Sequence, residues 1–548
     1  MHSRWFNVAL PLLAAGLLLV ASARQSEAQS ADEILRRAGE YLASQDAEKR
    51  AKGAEAAAEV NNKKALDLIL KALLIEKDTD TAVRMGACFA KFTDAEAIQS
   101  ARDTVTKWTR PEQIFPTYYL LTGLARGRTE SGDAIIRDCV LASKPKEFNL
   151  KAAGLEAIGE GARKELAPVI AELFATWNPD WDEKGVIVAM CGIFAAPKVV
   201  NRESDKKVRD DVMRGLINIL KNTKNDRLSY FAVKALSQIT GEKMYQDPKF
   251  WEWWISVGGY KAAGDNPEGA TTAERRVPQF FGMATVGKRI VFCIDVSGSM
   301  QHPAAMPPQP KKENPPPKKE GPTTGEKGKK DGDCKKDEKP EPDPPDYSKV
   351  KTKLDLAKVE LIYTLKQLDR EFLFNVVIYD TQHGLLIQGV KNLVPATDEN
   401  KNRFIKAVEA LNWRQLTNIH GGLMDSFSIT ERGFHDWKKM DPAWHDECMQ
   451  LGVETVYFLT DGFPTVSDDS SDINDVGKIG PNGPIGPAVG NGKMCKPQNI
   501  VNEIKRVNTF RKAVIHTVGI GPHDGGLLRA LSELSGGTYV DRTGVAAR

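Results

Sequence analysis

The stretch RIVFCIDVSGSM, Arg289 to Met300, decides the fold of the C-terminal half of this chain. After its arginine the stretch is apolar and β-branched, which predicts a buried strand that ends at Asp295. Ser297 and Ser299 follow at every second position. In a loop, this spacing lets one carboxylate and two hydroxyls turn toward a common point. All three groups are hard oxygen donors, the ligand type that Mg²⁺ prefers.

A second apolar stretch, ETVYFLTDG, predicts another buried strand that ends in an aspartate, Asp461. Strands alternate with helices through this half of the chain, which is typical of an open, mainly parallel sheet covered on both faces. In such sheets ligands bind at the carboxyl ends of the strands, where the winding order reverses. If the two strands are neighbours there, Asp295 and Asp461 face one crevice. Thr417, in the loop LTNIHGG, can add a third hydroxyl.

The other elements of this half follow from apolar spacing. FNVVIYD predicts a strand, and GLLIQGV follows after three residues, too few for a parallel crossover, so the two predict an antiparallel hairpin. AVIHTVGIG and TYV predict the last strands. Helical spacing predicts helices at 353–368, at 400–410, after Thr417, through Val507 and at 527–534.

These residues resemble a known family. DVSGSM, the threonine of LTNIHGGL and LTDGFPT match the D-x-S-x-S motif, the threonine and the second aspartate of von Willebrand factor type A (VWA) domains with a metal-ion-dependent adhesion site. IHTVGIG and LLRALSELSGGTYV are similar to the last strands and helix of that family. The resemblance covers residues 287–548, about 260 residues, and implies a doubly wound, mainly parallel, Rossmann-like α/β sheet.

The resemblance also implies a ligand set. Ser297, Ser299 and Thr417 would bind Mg²⁺ or Mn²⁺ directly, and Asp295 and Asp461 would act directly or through water. Two carboxylates formally neutralise the ion, while neutral hydroxyls leave it electrophilic. The remaining octahedral position would therefore favour an Asp or Glu side chain from a protein partner. The function that this implies is a protein-binding or adhesion module.

Two inserts interrupt the region of resemblance. Residues 302–349 are mostly Pro, Lys, Glu, Asp and Gly without apolar periodicity, so this insert is expected to be disordered. The second insert, the Gly/Pro-rich stretch 464–497, follows Asp461. Both leave the chain at the rim of the predicted site, which leaves open how freely a ligand reaches the metal.

The N-terminal half, 31–259, is almost entirely helix-patterned. Similar segments, among them AVRMGACFAKF and PTYYLLTGLAR, recur about every 32 to 35 residues with second helices between them. A helix pair per repeat resembles a HEAT-like α-solenoid, a scaffold for partner binding; an irregular helical bundle is the alternative. The aromatic segment FWEWWISVGG is expected to close the helical stack or bury the junction to the next domain, with an aromatic ligand cage as the alternative. Residues 260–286 are expected to be a linker.

The N-terminus predicts export. His2 and Arg4 precede an apolar run of about 13 residues and then small residues, the pattern of a signal peptide within 1–28, cleaved after Ala23 or Ala28. An uncleaved anchor is the alternative. A hydrophobic content of 41% describes a globular protein that is soluble after export. Seven cysteines are too few for a disulfide framework, and pairing among Cys334, Cys448 and Cys495 stays open.

An enzyme is not expected. The sequence has no HExxH, no GxSxG and no phosphate-binding loop, and we assign no catalytic or cofactor-binding residue. A formal net charge of +3 gives no electrostatic case for nucleic acid. Two alternatives to the adhesion module stay open: a structural exported protein whose metal only stabilises the fold, and a non-catalytic subunit of a larger enzyme assembly. Among the histidines, His516 is expected to pack in its strand, His383 to be an exposed turn residue, and His420 to lie near the site.

Overall fold

The computed structural model describes residues 30–142, 147–176, 182–259, 277–304, 344–439, 442–470, 479–480, 483–484 and 492–543. They fall into two compact units. The first, helical unit draws on Met1–Arg276, Phe427–Glu454 and Gln498–Ala513, and the second, α/β unit draws on Val277–Ser426, Thr455–Pro497 and Val514–Arg548. The predicted signal peptide, residues 260–276 of the linker, 305–343 of the first insert, most of 471–491 and Cys334 lie outside the described residues.

The elements are numbered in chain order. The helices are α1 (30–42), α2 (Ala47–Ala58), α3 (Lys63–Ile75), α4 (Thr79–Cys88), α5 (Ala95–Lys107), α6 (Ile114–Gly127), α7 (Glu130–Leu141), α8 (Phe148–Glu160), α9 (Ala167–Ala175), α10 (Glu183–Val199), α11 (Lys206–Asn222), α12 (Asp226–Thr240), α13 (Pro248–Ser256), α14 (Lys353–Gln367), α15 (Asp398–Glu409), α16 (Ile419–Ser426), α17 (Pro442–Leu451), α18 (Pro497–Asn508) and α19 (Gly525–Ser535). The strands are β1 (Gln279–Phe280), β2 (Met283–Ala284), β3 (Arg289–Asp295), β4 (Leu373–Tyr379), β5 (His383–Leu385), β6 (Val394–Pro395), β7 (Thr455–Thr460), β8 (Ile479–Gly480), β9 (Gly483–Pro484), β10 (Val514–Ile520) and β11 (Tyr539–Arg542). No helix within the described ranges is long and apolar enough to cross a membrane.

The helices from α2 to α13 pack in two rows. The even-numbered helices contact one another in chain order, and so do the odd-numbered helices. The repeated glycines permit this packing: a Cβ on Gly123 of α6 would lie 2.2 Å from the carbonyl oxygen of Gly86 in α4. The N-terminal half is therefore helical, as predicted. The assignment of its helix pairs to a HEAT-like solenoid, rather than to an irregular bundle, stays a prediction.

The aromatic segment forms α13, which packs against α11. Phe250, Trp251 and Trp254 are fully buried, and the indole nitrogen of Trp251 donates a hydrogen bond to the carbonyl of Tyr245. The cluster therefore packs inside the helical unit.

Two segments from the C-terminal half of the chain belong to the helical unit. They contain α17 and α18, whereas the sequence places both helices within the α/β domain 287–548. Lys512 and Glu156 form a 2.7 Å ion pair inside this unit, with side chains that are 10% and 5% exposed. Arg227 donates a hydrogen bond to the carbonyl of Arg511, and Arg511 donates one to the carbonyl of Phe427. Buried charged side chains thus link distant parts of the chain within one unit.

The α/β unit is built on a seven-stranded sheet with the order β11-β10-β7-β3-β4-β5, and β6 also pairs with β4. β11, β10, β7, β3 and β4 run parallel, and β5 and β6 are antiparallel to β4. This confirms the mainly parallel sheet and the predicted hairpin. Every residue of β3 and β7 is buried, which explains their continuous apolar sequences. Because β4 lies on one side of β3 and β7 on the other, the winding order reverses beside β3.

Residues 277–286 differ from the prediction of a linker. They contain the antiparallel hairpin of β1 and β2, and Phe280 is fully buried in the core of the α/β unit. Its ring lies 5.5 Å from the ring of Phe292 and 5.3 Å from that of Tyr457. Burial of these aromatic rings stabilises the hairpin, although each strand has only two residues.

Candidate metal centre

The two predicted aspartates meet at the winding reversal. β3 and β7 are parallel neighbours in which Ile294 pairs with Leu459. Asp295 is the last residue of β3, and Asp461 follows the end of β7. Their exposed fractions are 0% and 2%, so both carboxylates are buried at the carboxyl ends of the two strands.

Hydrogen bonds hold Asp295 in place. One of its oxygens accepts a 2.8 Å hydrogen bond from the backbone amide of Ser297, and the other accepts a 2.7 Å bond from the hydroxyl of Thr460. Burial and the charge of the neighbouring Asp461 together raise the pKa of Asp295 above its ordinary value, while these hydrogen bonds act in the opposite direction. The Asp295 carboxylate is therefore oriented by the loop that follows it and by the end of β7.

The hydroxyls lie around the second carboxylate. Ser299 donates a 2.7 Å hydrogen bond to Oδ1 of Asp461, and the hydroxyl oxygens of Ser297 and Ser299 are 3.2 Å apart. A Cβ on Gly462 would lie 3.5 Å from Oγ1 of Thr417 and 4.0 Å from Oγ of Ser299. The structure thus brings the five predicted site residues to one end of the β3–β7 pair.

The loop of Thr417 is fastened to the loop that follows Asp461. The amide of Thr417 donates to the hydroxyl of Thr465 at 2.8 Å, and the amide of Thr465 donates back to the carbonyl of Thr417 at 3.1 Å. On its other side, the amide of Gly298 donates to the carbonyl of Gln415 at 2.7 Å. The loops after β3 and β7 and the loop before α16 are therefore joined through their backbones.

Lys353 is a site residue that the sequence did not reveal. Its Nζ lies 2.8 Å from Oδ2 of Asp461, and the two side chains are 6% and 0% exposed. Lys353 is the first residue of α14, a position where a lysine is usually solvent-exposed. Only the contact across 108 residues of sequence identifies it.

The prediction that His383 is an exposed turn residue is wrong. His383 lies in β5, and its side chain is 7% exposed between Asp425 at 2.6 Å and Asp468 at 3.1 Å. Burial alone would lower the pKa of His383, but hydrogen bonds and charge interactions with the two carboxylates outweigh it and raise the pKa to about 9. Asp468 also accepts a 3.0 Å hydrogen bond from Asn418, next to Thr417.

The other histidines lie in regular elements. His516 is buried in β10 and stacks on the ring of Tyr457, which confirms that it packs in its strand. His420 is buried in α16, the helix that follows Thr417. Its expected position near the site stays a prediction.

The donor set suits a hard divalent cation. Among the residues that the structure describes, no three His, Cys, Asp or Glu side chains are grouped to hold a metal ion. An ion at this centre would therefore rely on two carboxylates and on the hydroxyls of Ser297, Ser299 and Thr417. Mg²⁺ and Mn²⁺ accept such oxygen ligands and retain waters that a partner can displace.

No protein-family model matches the chain, and no curated protein matches it. Among solved structures, the chain is similar to the von Willebrand factor type A protein from Catenulispora acidiphila, with 15% sequence identity and a TM-score of 0.27. The match covers 47% of this chain and 39% of that chain, so it spans less than half of that protein's length. The helical N-terminal half and the mainly parallel α/β sheet fit a VWA-like fold.

Proposed function

We propose that the α/β unit is a protein-binding module of the VWA type that binds the carboxylate of an Asp or Glu side chain through Mg²⁺ or Mn²⁺. Asp295, Ser297, Ser299, Thr417 and Asp461 would hold the ion, which supplies an electrophilic coordination position. The observation that carries the proposal is the convergence of these residues at the winding reversal, where the hydroxyl of Ser299 donates a hydrogen bond to Asp461. The helical unit would be a second interaction surface.

A binding role is favoured over catalysis by the way in which the site is held. Both oxygens of Asp295 already accept hydrogen bonds from the protein, which suits a fixed ligand better than a general base. We therefore propose no catalytic residue. The chain would act after export, and this part of the proposal rests on the N-terminal sequence alone. N-terminal sequencing of the protein from the extracytoplasmic fraction tests it: a start at Met1 contradicts cleavage.

The metal is tested by isothermal titration calorimetry of MgCl₂ into the full chain near neutral pH. We expect Asp461→Asn to weaken Mg²⁺ binding by about a hundredfold or more, because it removes one of the two site charges. Asp541→Asn is the matched control, since Asp541 is an exposed carboxylate in β11 of the same unit. Wild-type Mg²⁺ affinity in Asp461→Asn, with a native circular dichroism spectrum, contradicts the metal site.

A second measurement tests the partner carboxylate. Bound Mn²⁺ enhances the relaxation of water protons, and acetate that replaces a coordinated water lowers this enhancement. We expect acetate to lower it and acetamide, its neutral analogue, to leave it unchanged. If Mn²⁺ binds and raises the thermal midpoint but acetate has no effect, the alternative of a metal that only stabilises the fold is favoured.

A further inference from the structure

A buried lysine contributes a positive charge to the candidate metal centre. The ammonium of Lys353 contacts Oδ2 of Asp461, while Oδ1 of the same carboxylate accepts a hydrogen bond from the hydroxyl of Ser299. Asp461 thus lies between the ammonium and the hydroxyls that would hold a cation. Any ion bound by Asp461 would share this carboxylate with Lys353.

Several elements hold Lys353 in this position. Thr352 caps α14 through a reciprocal capping box with Asp355, and the backbone amide of Lys353 donates a 2.9 Å hydrogen bond to the carbonyl of His302. Gly521, after β10, has φ +69°, and a Cβ there would lie 2.7 Å from Cε and 2.8 Å from Nζ of Lys353. The glycine therefore leaves the space through which the lysine side chain passes.

This placement has two energetic costs. A cation in the first turn of a helix is unfavourable in the field of the helix dipole, and a buried ammonium loses its hydration. An apolar residue at this position would avoid both costs. The pairing with Asp461 offsets them, which makes the charge of Lys353 part of the site rather than a feature of the helix surface.

Lys353 changes the formal charge of the candidate metal centre. The carboxylates of Asp295 and Asp461 with the ammonium of Lys353 carry a formal charge of −1, and a divalent ion makes the centre +1. Without the lysine, the loaded centre would be neutral. Lys353 therefore disfavours a divalent ion by itself and favours the ion together with an anion.

We propose that Lys353 couples metal binding to carboxylate binding: it keeps the affinity for the metal alone low, and an anionic ligand restores it. This inference rests on the proposed function, and it adds that the module is selective for anionic ligands and binds ion and ligand cooperatively. By thermodynamic reciprocity, the bound metal must raise the affinity for the carboxylate by the same factor by which the bound carboxylate raises the affinity for the metal.

The first test compares Mg²⁺ affinities of the full chain by calorimetry at one near-neutral pH, with no carboxylate in the buffer. We expect Lys353→Met to bind Mg²⁺ about tenfold or more tightly than the wild type, because a like charge next to the ion is removed. Lys351→Met is the matched control: the same charge change at an exposed position just before α14 should alter the affinity by less than about twofold. A native-like Lys353→Met that binds Mg²⁺ no more tightly than the wild type overturns the inference.

The second test can overturn the inference even if Lys353→Met does not fold, because it begins with the wild type. Mg²⁺ affinity of the wild type is measured in sodium acetate and in sodium chloride of equal ionic strength. We expect acetate to raise the affinity for Mg²⁺ by about fivefold or more, which is a typical coupling between sites. If Lys353→Met folds, it should lose most of this effect. Equal affinities in the two salts overturn the inference. Absence of Mg²⁺ binding to the wild type instead contradicts the proposed function.

Discussion

Loss of the positive charge of His383 should destabilise the α/β unit in a pH-dependent manner. The folded pKa of about 9 lies above the value of about 6.5 for an unfolded chain. A group with a raised folded pKa contributes its full stability below its unfolded pKa and loses it as pH rises through the folded pKa. The contribution is therefore complete near pH 6 and absent well above pH 9.

The structure sets the magnitude of this effect. A difference of about 2.5 pKa units corresponds to about 3 kcal/mol in the free energy of unfolding. The side chains of His383 and Asp425 are 7% and 4% exposed, but Asp468 is 30% exposed and its share is partly screened by solvent. We therefore expect about 2 to 3 kcal/mol.

Hydrogen exchange followed by mass spectrometry can isolate the α/β unit, because peptides from β3 and β7 report its opening separately from the helical unit. The quantity is the stability of the wild type minus that of His383→Gln, compared between about pH 6 and about pH 9.5. We expect this stability difference to be larger at the lower pH by about 2 to 3 kcal/mol. His302→Gln, at an exposed position of the same unit, is the control. A difference that does not change with pH, or that grows toward high pH, would refute the reasoning.

Two predictions concern packing. Lys512→Met should lower the free energy of unfolding of the helical unit in urea by about 3 kcal/mol, because Glu156 stays buried without its partner. Glu156→Gln in the same chain should recover much of this loss. A loss below about 1 kcal/mol would contradict the buried pair. Phe280→Ala should lower the free energy of opening, measured by hydrogen exchange in β3 and β7, by about 3 to 5 kcal/mol, because Phe280 is buried in the α/β core. No change there would indicate that 277–286 is a linker.

The parallel sheet could be predicted because its signals are local. β3 and β7 are buried on both faces, so their sequences are continuously apolar, and each leads directly into an aspartate. The link between β4 and β5 is too short for a crossover, which makes that pair antiparallel. Asp295 and Asp461 could be placed together by the general rule that ligands bind at the winding reversal of such sheets.

The features that the sequence did not reveal depend on distant contacts. The polarity of His383 predicts exposure, and its burial follows from partners 42 and 85 residues away. The hairpin of β1 and β2 has too few residues for a periodic signal, and the aromatic contacts of Phe280 stabilise it. The grouping of α17 and α18 with the helical unit is accompanied by buried pairs such as Lys512 with Glu156. In each case the residue type indicates a class of environment but not the partner that makes the burial possible.

The hydrogen bonds of the centre also bear on how it would receive an ion. A serine hydroxyl has one proton and two lone pairs. In Ser299 the proton is directed to Asp461, so the lone pairs point away from that carboxylate and stay available to a cation. Asp461 is in turn oriented by Lys353 on its other oxygen. The lysine thus has two opposing effects: its charge disfavours a divalent ion, and its hydrogen bond keeps the carboxylate and the Ser299 hydroxyl in an orientation that suits one. Because charge acts over a longer range than hydrogen-bond geometry, the loss of the charge should outweigh the loss of this hydrogen bond in Lys353→Met.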